Sequence, residues 1–184
     1  MSKIIKQKER GSLIVMSGPS GCGKGTVIQE FLKKHKDAWL SISCTSRAPR
    51  PGDVPGETYY FITREEFEEK IENAEFLEYA EYNKNYYGTP KNYVEKLLNN
   101  GKNVFLEIEI EGARQVVEKM KDAITIYLMP PSIEELERRI RGRRSEPEEV
   151  GKERMDKAKR EIKSYTEYKY VVYNDSLEKA TDEI

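Results

Sequence analysis

Cysteine and histidine are scarce in this sequence, and their scarcity disfavours several kinds of site. The 184 residues include two cysteines and one histidine. The spacing of Cys22 and Cys44 matches no metal-binding or disulfide framework, which suits a reducing compartment. His35 lies at the expected end of a surface helix, where nothing requires it to take part in chemistry. We therefore expect neither a zinc cluster nor a disulfide scaffold.

Long apolar runs and an excess of one charge are also lacking. No stretch approaches the roughly 20 apolar residues of a membrane helix, and residues 1–8 lack the apolar core and cleavage site of a secretory signal. The 32 basic and 33 acidic residues nearly cancel, giving a net charge of −1, so the overall charge does not favour a nucleic-acid partner. We expect a cytoplasmic protein with one folded core and small appendages, and no membrane partner.

A glycine-rich turn directly after an apolar run is the most informative motif present. Residues 13–16 predict a strand, and residues 18–26 read GPSGCGKGT. Backbone N–H groups of such a turn can point at phosphate oxygens, Lys24 adds a positive charge, and the dipole of the following helix attracts anions. In the common form of this motif a serine or threonine follows the lysine, whereas here Gly25 stands there and Thr26 comes next. The motif predicts a nucleotide-binding loop; the alternative is a glycine-rich turn without a ligand.

The order of predicted elements indicates an α/β fold. Strands and helices alternate along most of the chain, which favours a three-layer core with a parallel sheet covered on both faces, as in P-loop NTPases. Residues 43–89 interrupt this pattern with short strands and a proline-rich loop, so we expect a small mixed β/α insertion there.

Local signals predict several element boundaries. Thr63 with Glu66 predicts a capping box. Thr89 is predicted to cap a helix that starts at Pro90, and Ser132 with Glu135 predicts a second capping box. We also expect a strand over 104–110, a long charged helix to about residue 169 and a last strand over 170–173.

Together, the motifs resemble guanylate kinases in order and spacing along almost the whole chain. The resemblance rests on residues 18–26, 43–50, 86–89 and the arginine-rich stretch 138–144, with Tyr59 and Glu78. It implies transfer of the γ-phosphoryl group of ATP, with Mg²⁺, to GMP. It leaves open whether the protein is a monomer or a homodimer. It also implies a core of residues 1–42, 90–134 and 156–184, a GMP-binding region of 43–89, and a helical lid of 135–155.

The resemblance assigns the ATP site to the loop and to one later residue. The residues concerned are Gly18, Pro19, Ser20, Gly21, Cys22, Gly23, Lys24, Gly25, Thr26 and Asn174. Asn174 matches a position that contacts adenine, although a simple turn asparagine is the alternative. Catalytic roles fall to Lys24, Arg47, Arg139, Arg143 and Arg154, because positive charge stabilises the transferring phosphoryl group.

Guanine recognition needs a carboxylate for the donors at N1 and N2 and a hydroxyl donor for O6. Glu78 matches the carboxylate, in a strand where Phe76 and Ala80 share its face; an exposed strand glutamate is the alternative. Ser43 and Thr89 match the hydroxyl positions.

The remaining site residues follow from the same resemblance. Arg47 and Arg50 match a clamp on the GMP phosphate, with Tyr59 and Tyr87 as further donors; the alternative for both arginines is ordinary loop solubility.

Glutamates stand where the family usually has aspartates at two positions of the predicted central strand. We place Glu107 on the guanine side. Glu109, with Thr26, is placed near the magnesium ion.

Two other functions compete with this interpretation. A kinase for AMP or UMP is disfavoured because adenine has no donor at N1 to meet Glu78. A non-catalytic interaction module related to guanylate kinases is disfavoured because such modules typically lose phosphate-loop residues, whereas Gly23 and Lys24 are intact.

Overall fold

The computed structural model describes residues 9–142 and 148–184, with the backbone alone for 148–150. Within these ranges the strands are β1 (Leu13–Ser17), β2 (Ala38–Leu40), β3 (Cys44–Thr45), β4 (Tyr60–Phe61), β5 (Phe76–Tyr82), β6 (Asn85–Pro90), β7 (Asn103–Glu107), β8 (Ile124–Met129) and β9 (Tyr170–Tyr173). The helices are α1 (Lys24–Lys34), α2 (Arg64–Glu72), α3 (Lys91–Asn99), α4 (Ile110–Lys119), α5 (Ile133–Arg141), α6 (Glu148–Ile162) and α7 (Leu177–Asp182).

The main sheet is parallel and has the order β2-β7-β1-β8-β9. Side chains of β1 alternate between two buried clusters. Leu13 and Val15 pack with residues of α3 and α4 on one face, and Met16 packs with residues of α1 and α7 on the other. The predicted α/β core with a covered parallel sheet is therefore confirmed. Because β7 and β8 lie on opposite sides of β1, a crevice opens at the carboxyl ends of these three strands.

A second, smaller sheet has the order β4-β3-β6-β5 and packs against α2. The predicted capping box at the start of α2 is confirmed, because Thr63 Oγ1 accepts from the Glu66 N–H and the Glu66 carboxylate accepts from the Thr63 N–H. Phe67 of α2 is fully buried, and its ring stacks on those of Phe76 and Tyr86 at centroid distances of 4.3 and 5.1 Å. The small sheet thus has an aromatic core of its own.

Removal of the Phe67 ring is expected to destabilise this sheet strongly. Phe67→Ala should lower the free energy of unfolding by about 3 to 5 kcal/mol, the usual cost of a large cavity in a closed core. Val54, 45% exposed in the same region, gives a control: Val54→Ala should stay within about 0.5 kcal/mol. Urea unfolding of both variants measures the difference, and equal stability would contradict the aromatic core.

Helix α3 starts one residue later than the sequence predicts. Pro90 is its N-cap, and Thr89 lies within β6. Pro90 still pairs with Phe76 across the sheet, so the strand continues past the position where Thr89 could act as a cap. The prediction that Thr89 caps the helix is wrong.

Two further boundaries differ. Strand β7 ends at Glu107, and Glu109 is the N-cap of α4, so Glu109 lies outside the strand, which the sequence predicts over 104–110. Helix α6 ends at Ile162 and a 3₁₀ helix, Lys163–Glu167, follows, whereas the sequence predicts one continuous helix.

The second predicted capping box is only half formed. Ser132 Oγ accepts from the Glu135 N–H. The Glu135 carboxylate does not reach back to the cap but accepts from Arg138 and Arg139, because two guanidinium groups one turn away compete for it. Among the described helices, none combines the length and apolar composition needed to cross a membrane.

Candidate active site

The glycine-rich loop joins β1 to α1 at the carboxyl edge of the main sheet. Gly21 and Gly23 have φ angles of 87° and 95°, which residues with a side chain rarely adopt. Lys24 starts α1 and donates from Nζ to the Gly18 carbonyl at 2.7 Å. The loop amides, the helix dipole and the ammonium group are therefore brought together, as an anion site requires.

Side chains from the far end of the chain brace this loop. Asn174, directly after β9, is buried and donates from Nδ2 to the Cys22 carbonyl at 2.8 Å. Arg139 of α5 donates to the same carbonyl at 3.3 Å. Arg154 of α6 donates to Ser20 Oγ at 2.9 Å. The loop is thus held by α5, α6 and the segment after β9.

The other lid arginines have different surroundings. Arg138 is exposed and pairs with Glu135 at 2.7 Å, as expected of a solvated helix face. Arg139 shares that carboxylate through Nε, also at 2.7 Å. Arg143, predicted as a catalytic residue, lies outside the described residues.

The bond from Asn174 to the loop leads to a prediction. Asn174→Ala leaves the Cys22 carbonyl with Arg139 alone, at a cost of about 1 to 2 kcal/mol. We expect the KM for ATP to rise about tenfold and the KM for GMP to stay near its original value, with Asn99→Ala on α3 as the control. Steady-state kinetics with each substrate varied in turn measures this. If instead only the preference for ATP over other donor nucleotides changes, Asn174 acts on the base and not on the loop.

The two glutamates at the end of β7 have different neighbours. Oε2 of Glu107 lies 3.3 Å from the position that a Cβ on Gly25 would occupy. Enclosure within the cleft raises the pKa of Glu107, whereas the charge of Lys24 and a hydrogen bond from Gly25 lower it. Glu109 accepts from Nζ of Lys157 on α6 at 2.9 and 3.1 Å. The carboxylate beside the phosphate loop is therefore that of Glu107.

The predicted base-binding residues form one row across the small sheet. Glu78 of β5 pairs with Thr89 of β6, and Cys44 of β3 pairs with Gly88. The same register places Ser43 opposite Thr89. Thr89 Oγ1 donates to Glu78 Oε1 at 2.6 Å, and Glu78 is only 6% exposed. The alternative that Glu78 is an exposed strand residue is wrong.

A β-bulge determines where Glu78 faces. The pairing shifts between Phe76 and Glu78, which interrupts the alternation of faces. Phe76 packs in the small core, with the ring of Tyr79 6.5 Å away, and Leu77 packs in the main core. Oε2 of Glu78 lies 2.7 Å from the place of a Cβ on Gly112 of α4. Glu78 therefore faces α4, and the shared face predicted for Phe76 and Glu78 does not hold.

Neighbouring groups change the pKa of Glu78 in opposite directions. Burial is the largest influence and raises the pKa of Glu78 above its ordinary value, while hydrogen bonds from Thr89 and the charge of Lys119 act against that rise. A charged carboxylate accepts from two donors at once, so the groups that lower this pKa favour the form that can bind guanine.

Arg47 is held rigidly in the loop between β3 and β4. Its guanidinium is 3.0 Å from Asp53, donates to the Ala48 carbonyl at 2.9 Å, and lies 5.6 Å from the ring centroid of Tyr59. The ring of Tyr87 stands 5.9 Å from that of Tyr59. Arg47 is 9% exposed, so the alternative of a solubility residue does not apply to it. Three of the predicted phosphate ligands thus lie together.

Arg50, the fourth predicted phosphate ligand, is exposed, and its backbone N–H donates to Asp53 Oδ2 at 2.7 Å. That bond and the nearby Arg47 lower the pKa of Asp53. Asp53 therefore orients Arg47 and closes the loop.

Two clefts meet at the phosphate loop. The larger, about 780 Å³, is lined by the loop, α5 and the residues after β9, including Arg139 and Asn174. The smaller, about 350 Å³, is lined by Gly18, Tyr59, Glu107 and Glu109, among others. Ser20, Lys24 and Glu107 line both. Two ligands, one in each cleft, would therefore meet beside Lys24.

Comparison with known proteins decides the family. The family model for guanylate kinase matches residues 10–184. The chain belongs to the guanylate kinase family. It is 51% identical over 177 residues to the guanylate kinase of Lactococcus lactis, covering 96% of this chain and 86% of that one. It is 51% identical over 184 residues to that of Clostridium perfringens strain 13, covering 100% and 85%.

A solved guanylate kinase has the same fold. The crystal structure of the enzyme from Anaplasma phagocytophilum superposes with a TM-score of 0.75 at 35% identity, covering 96% of this chain and 83% of that chain. Membership of the guanylate kinase family identifies the chain as a kinase and does not favour an interaction module.

Four residues that contact predicted site residues or the strand that carries Glu78 are absent from the sequence predictions. They are Asp53, Gly112, Gln115 and Lys119. Asp53 had a signal, since it stands in a proline-bounded loop that already holds two arginines. The other three lie on α4, whose sequence reads only as an amphipathic helix.

Proposed function

We propose that this chain transfers the γ-phosphoryl group of ATP to GMP, reversibly, giving ADP and GDP. The observation that supports this most is the buried Glu78–Thr89 pair of the small sheet. Tyr59, directly before β4 of that sheet, lines a cleft with Lys24. A buried carboxylate with a hydroxyl beside it suits the donors and the acceptor on the edge of guanine. Adenine would offer no donor at N1.

Each part of the site has a role in this proposal. The loop, with Lys24, binds the ATP phosphates, and Asn174 braces the loop beside the ATP cleft. Arg47, Arg50, Tyr59 and Tyr87 bind the GMP phosphate, and Ser43, Glu78 and Thr89 bind the base. Lys24, Arg47, Arg139, Arg143 and Arg154 offset the negative charge of the transferring phosphoryl group.

Catalysis would then be mostly positioning and electrostatics. The attacking oxygen of GMP is already anionic at neutral pH, so no strong general base is needed. We propose that the GMP-binding region 43–89 and the lid 135–155 move toward the core to exclude water. The proposed lid ends at residue 155, within α6. The first part of that helix would therefore belong to the lid and the rest to the core.

The residues beside the loop suit a magnesium ion. Among the described residues no group of three or more metal-ligating side chains stands together, and Mg²⁺ commonly keeps several waters and takes one or two carboxylates with substrate phosphates. Glu107 fits this mode, because its carboxylate fills the space that a side chain on Gly25 would need. Glu107 and Thr26 would hold the ion, which would neutralise phosphate charge. The two glutamates would thus exchange the places that the sequence predicts for them. Glu109, which lines the smaller cleft and accepts from Lys157, would take the guanine side.

We further propose a place in purine nucleotide metabolism in the cytoplasm. The two cysteines are free and buried, and burial raises the pKa of the Cys22 thiol, which keeps it protonated inside the loop. That the protein is a monomer or a homodimer stays a prediction.

The proposal is tested by measuring ADP release with ATP and Mg²⁺ and each of GMP, AMP, UMP and CMP as acceptor. Release is expected with GMP far above the other three. Preference for AMP would contradict the assignment of Glu78. Tight nucleotide binding without turnover would favour an interaction module.

A further inference from the structure

Helix α4 contacts the outer edge of β5 through two polar side chains. Gln115 donates from Nε2 to the Tyr79 carbonyl at 3.0 Å and accepts at Oε1 from the Tyr79 N–H at 3.1 Å. Lys119 donates from Nζ to the carbonyls of Phe76 and Leu77 at 3.1 and 2.8 Å. The amide of Gln115 thus takes the place of a neighbouring strand, and the edge of β5 is tied to a helix of the main core.

These bonds flank the residue that carries the base-binding carboxylate. Lys119 donates to the carbonyls of the two residues before Glu78, including the bulged one. Gln115 forms hydrogen bonds with the backbone of the residue after Glu78. Gly112 leaves room for Glu78 Oε2. Positions 112, 115 and 119 are spaced by three and four residues, so they lie on one face of α4. One helix face both holds the strand and borders the carboxylate.

We propose that Gln115 and Lys119 are positioning residues for guanine recognition. They hold the bulged strand so that Glu78 meets the base, and they act through Glu78 without touching the substrate. The inference rests on the proposed function, because it concerns the same base-binding site.

The expected effect follows from the bulge. Without Lys119, the carbonyls of Phe76 and Leu77 lose a charged donor at a point where strand pairing is already interrupted. β5 can then shift, and a displacement of about 1 Å far from the reacting atoms can cost up to about 10²-fold. The shift would move the carboxylate relative to the base while leaving the phosphate loop in place.

Calorimetric GMP binding and steady-state kinetics of Lys119→Met test this. The dissociation constant and the KM of GMP should both rise about tenfold, whereas kcat and the KM for ATP should stay within about twofold. Lys121→Met, the same change two residues later at an exposed site, is the control and should behave as the unaltered chain. Lys119→Arg keeps the donors and should restore most of the GMP affinity. Gln115→Glu, which loses the donor to Tyr79, should act in the same direction.

The pH dependence separates this role from a merely structural one. Lys119 of α4 and Thr89 of β6 are the groups that lower the pKa of Glu78 against the effect of burial. Loss of the Lys119 charge raises that pKa, so Glu78 becomes protonated at a higher pH. As the pH is lowered, the GMP affinity of Lys119→Met should therefore begin to fall earlier than that of the unaltered chain.

Gly112→Ala is an independent variant that should fold. Alanine favours a helix over glycine by about 1 kcal/mol, but its Cβ would stand 2.7 Å from Glu78 Oε2, and the flexible carboxylate must move. We expect weaker GMP binding without loss of thermal stability. Val117→Ala, at an exposed site of the same helix, is the control and should leave GMP binding unchanged.

The outcomes separate the two proposals. If the unaltered chain uses GMP and both Lys119→Met and Gln115→Glu bind GMP as it does, the positioning role is overturned and the proposed function stands. A lower unfolding temperature of Lys119→Met with unchanged GMP affinity overturns the positioning role as well. If the unaltered chain does not bind GMP, both are overturned.

Discussion

Lys24→Met is expected to lower kcat by about 10²- to 10³-fold, or about 3 to 4 kcal/mol of transition-state stabilisation. The ammonium group lies against the loop, between the two clefts, where the transferred phosphoryl group must pass. Methionine keeps the apolar stem of the side chain and removes the ammonium group, with its charge and its hydrogen bond to the Gly18 carbonyl. Single-turnover measurement of ADP formation separates this effect from weaker ATP binding.

Lys33→Met is the matched control for this charge. Lys33 lies on the same helix, is exposed, and pairs with Glu30. Its loss should leave kcat within about twofold. A similar loss of kcat in both variants would mean that helix stability, and not the charge beside the phosphates, explains the effect.

Glu78→Gln is expected to lower kcat/KM for GMP by about 10²-fold, equivalent to about 3 kcal/mol. The amide keeps the shape of the carboxylate but offers one acceptor instead of two and turns an NH₂ group toward the donors of guanine. Sites built around a hydrogen bond discriminate strongly when it is lost. The KM for ATP should not change, because other residues form the loop proposed to bind the ATP phosphates.

Glu81→Gln is the corresponding control on β5. Glu81 is exposed and pairs with Arg64 at 3.3 Å, so its loss should leave GMP use unchanged. Equal weakening of GMP and ATP use by Glu78→Gln would show that Glu78 does not meet the base.

Local sequence signals predicted much of the fold. The parallel sheet follows from strands such as β1, whose side chains are buried on both faces, and α2 follows from the capping box of Thr63 and Glu66. Where the prediction failed, a non-local contact decided the boundary. Thr89 has the sequence signal of a helix cap, but the pairing of Pro90 with Phe76 keeps it in the sheet.

Prediction of the site also fails where non-local contacts decide the structure. Glu78 was identified from its chemical type and the family pattern, but the bulge that turns it toward α4 depends on pairing between separate strands. The surroundings of Glu107 and Glu109 could not be predicted, because β7 ends at Glu107, three residues before the predicted end of the strand at residue 110. Glu107 therefore lies beside Gly25, and Glu109, the N-cap of α4, lies beside Lys157. Gln115 and Lys119 carry no sequence signal, since their partners are backbone atoms of another element.

The most direct test of the account follows the phosphoryl group itself. ATP labelled with ³²P at the γ position is incubated with GMP, Mg²⁺ and the protein, and the nucleotides are separated by chromatography. The label should appear in GDP, in step with the ADP formed, and this transfer should be lost in Lys24→Met. Label that stays in ATP, or that appears only as free phosphate, would contradict the proposal that this chain joins an ATP site to a GMP site.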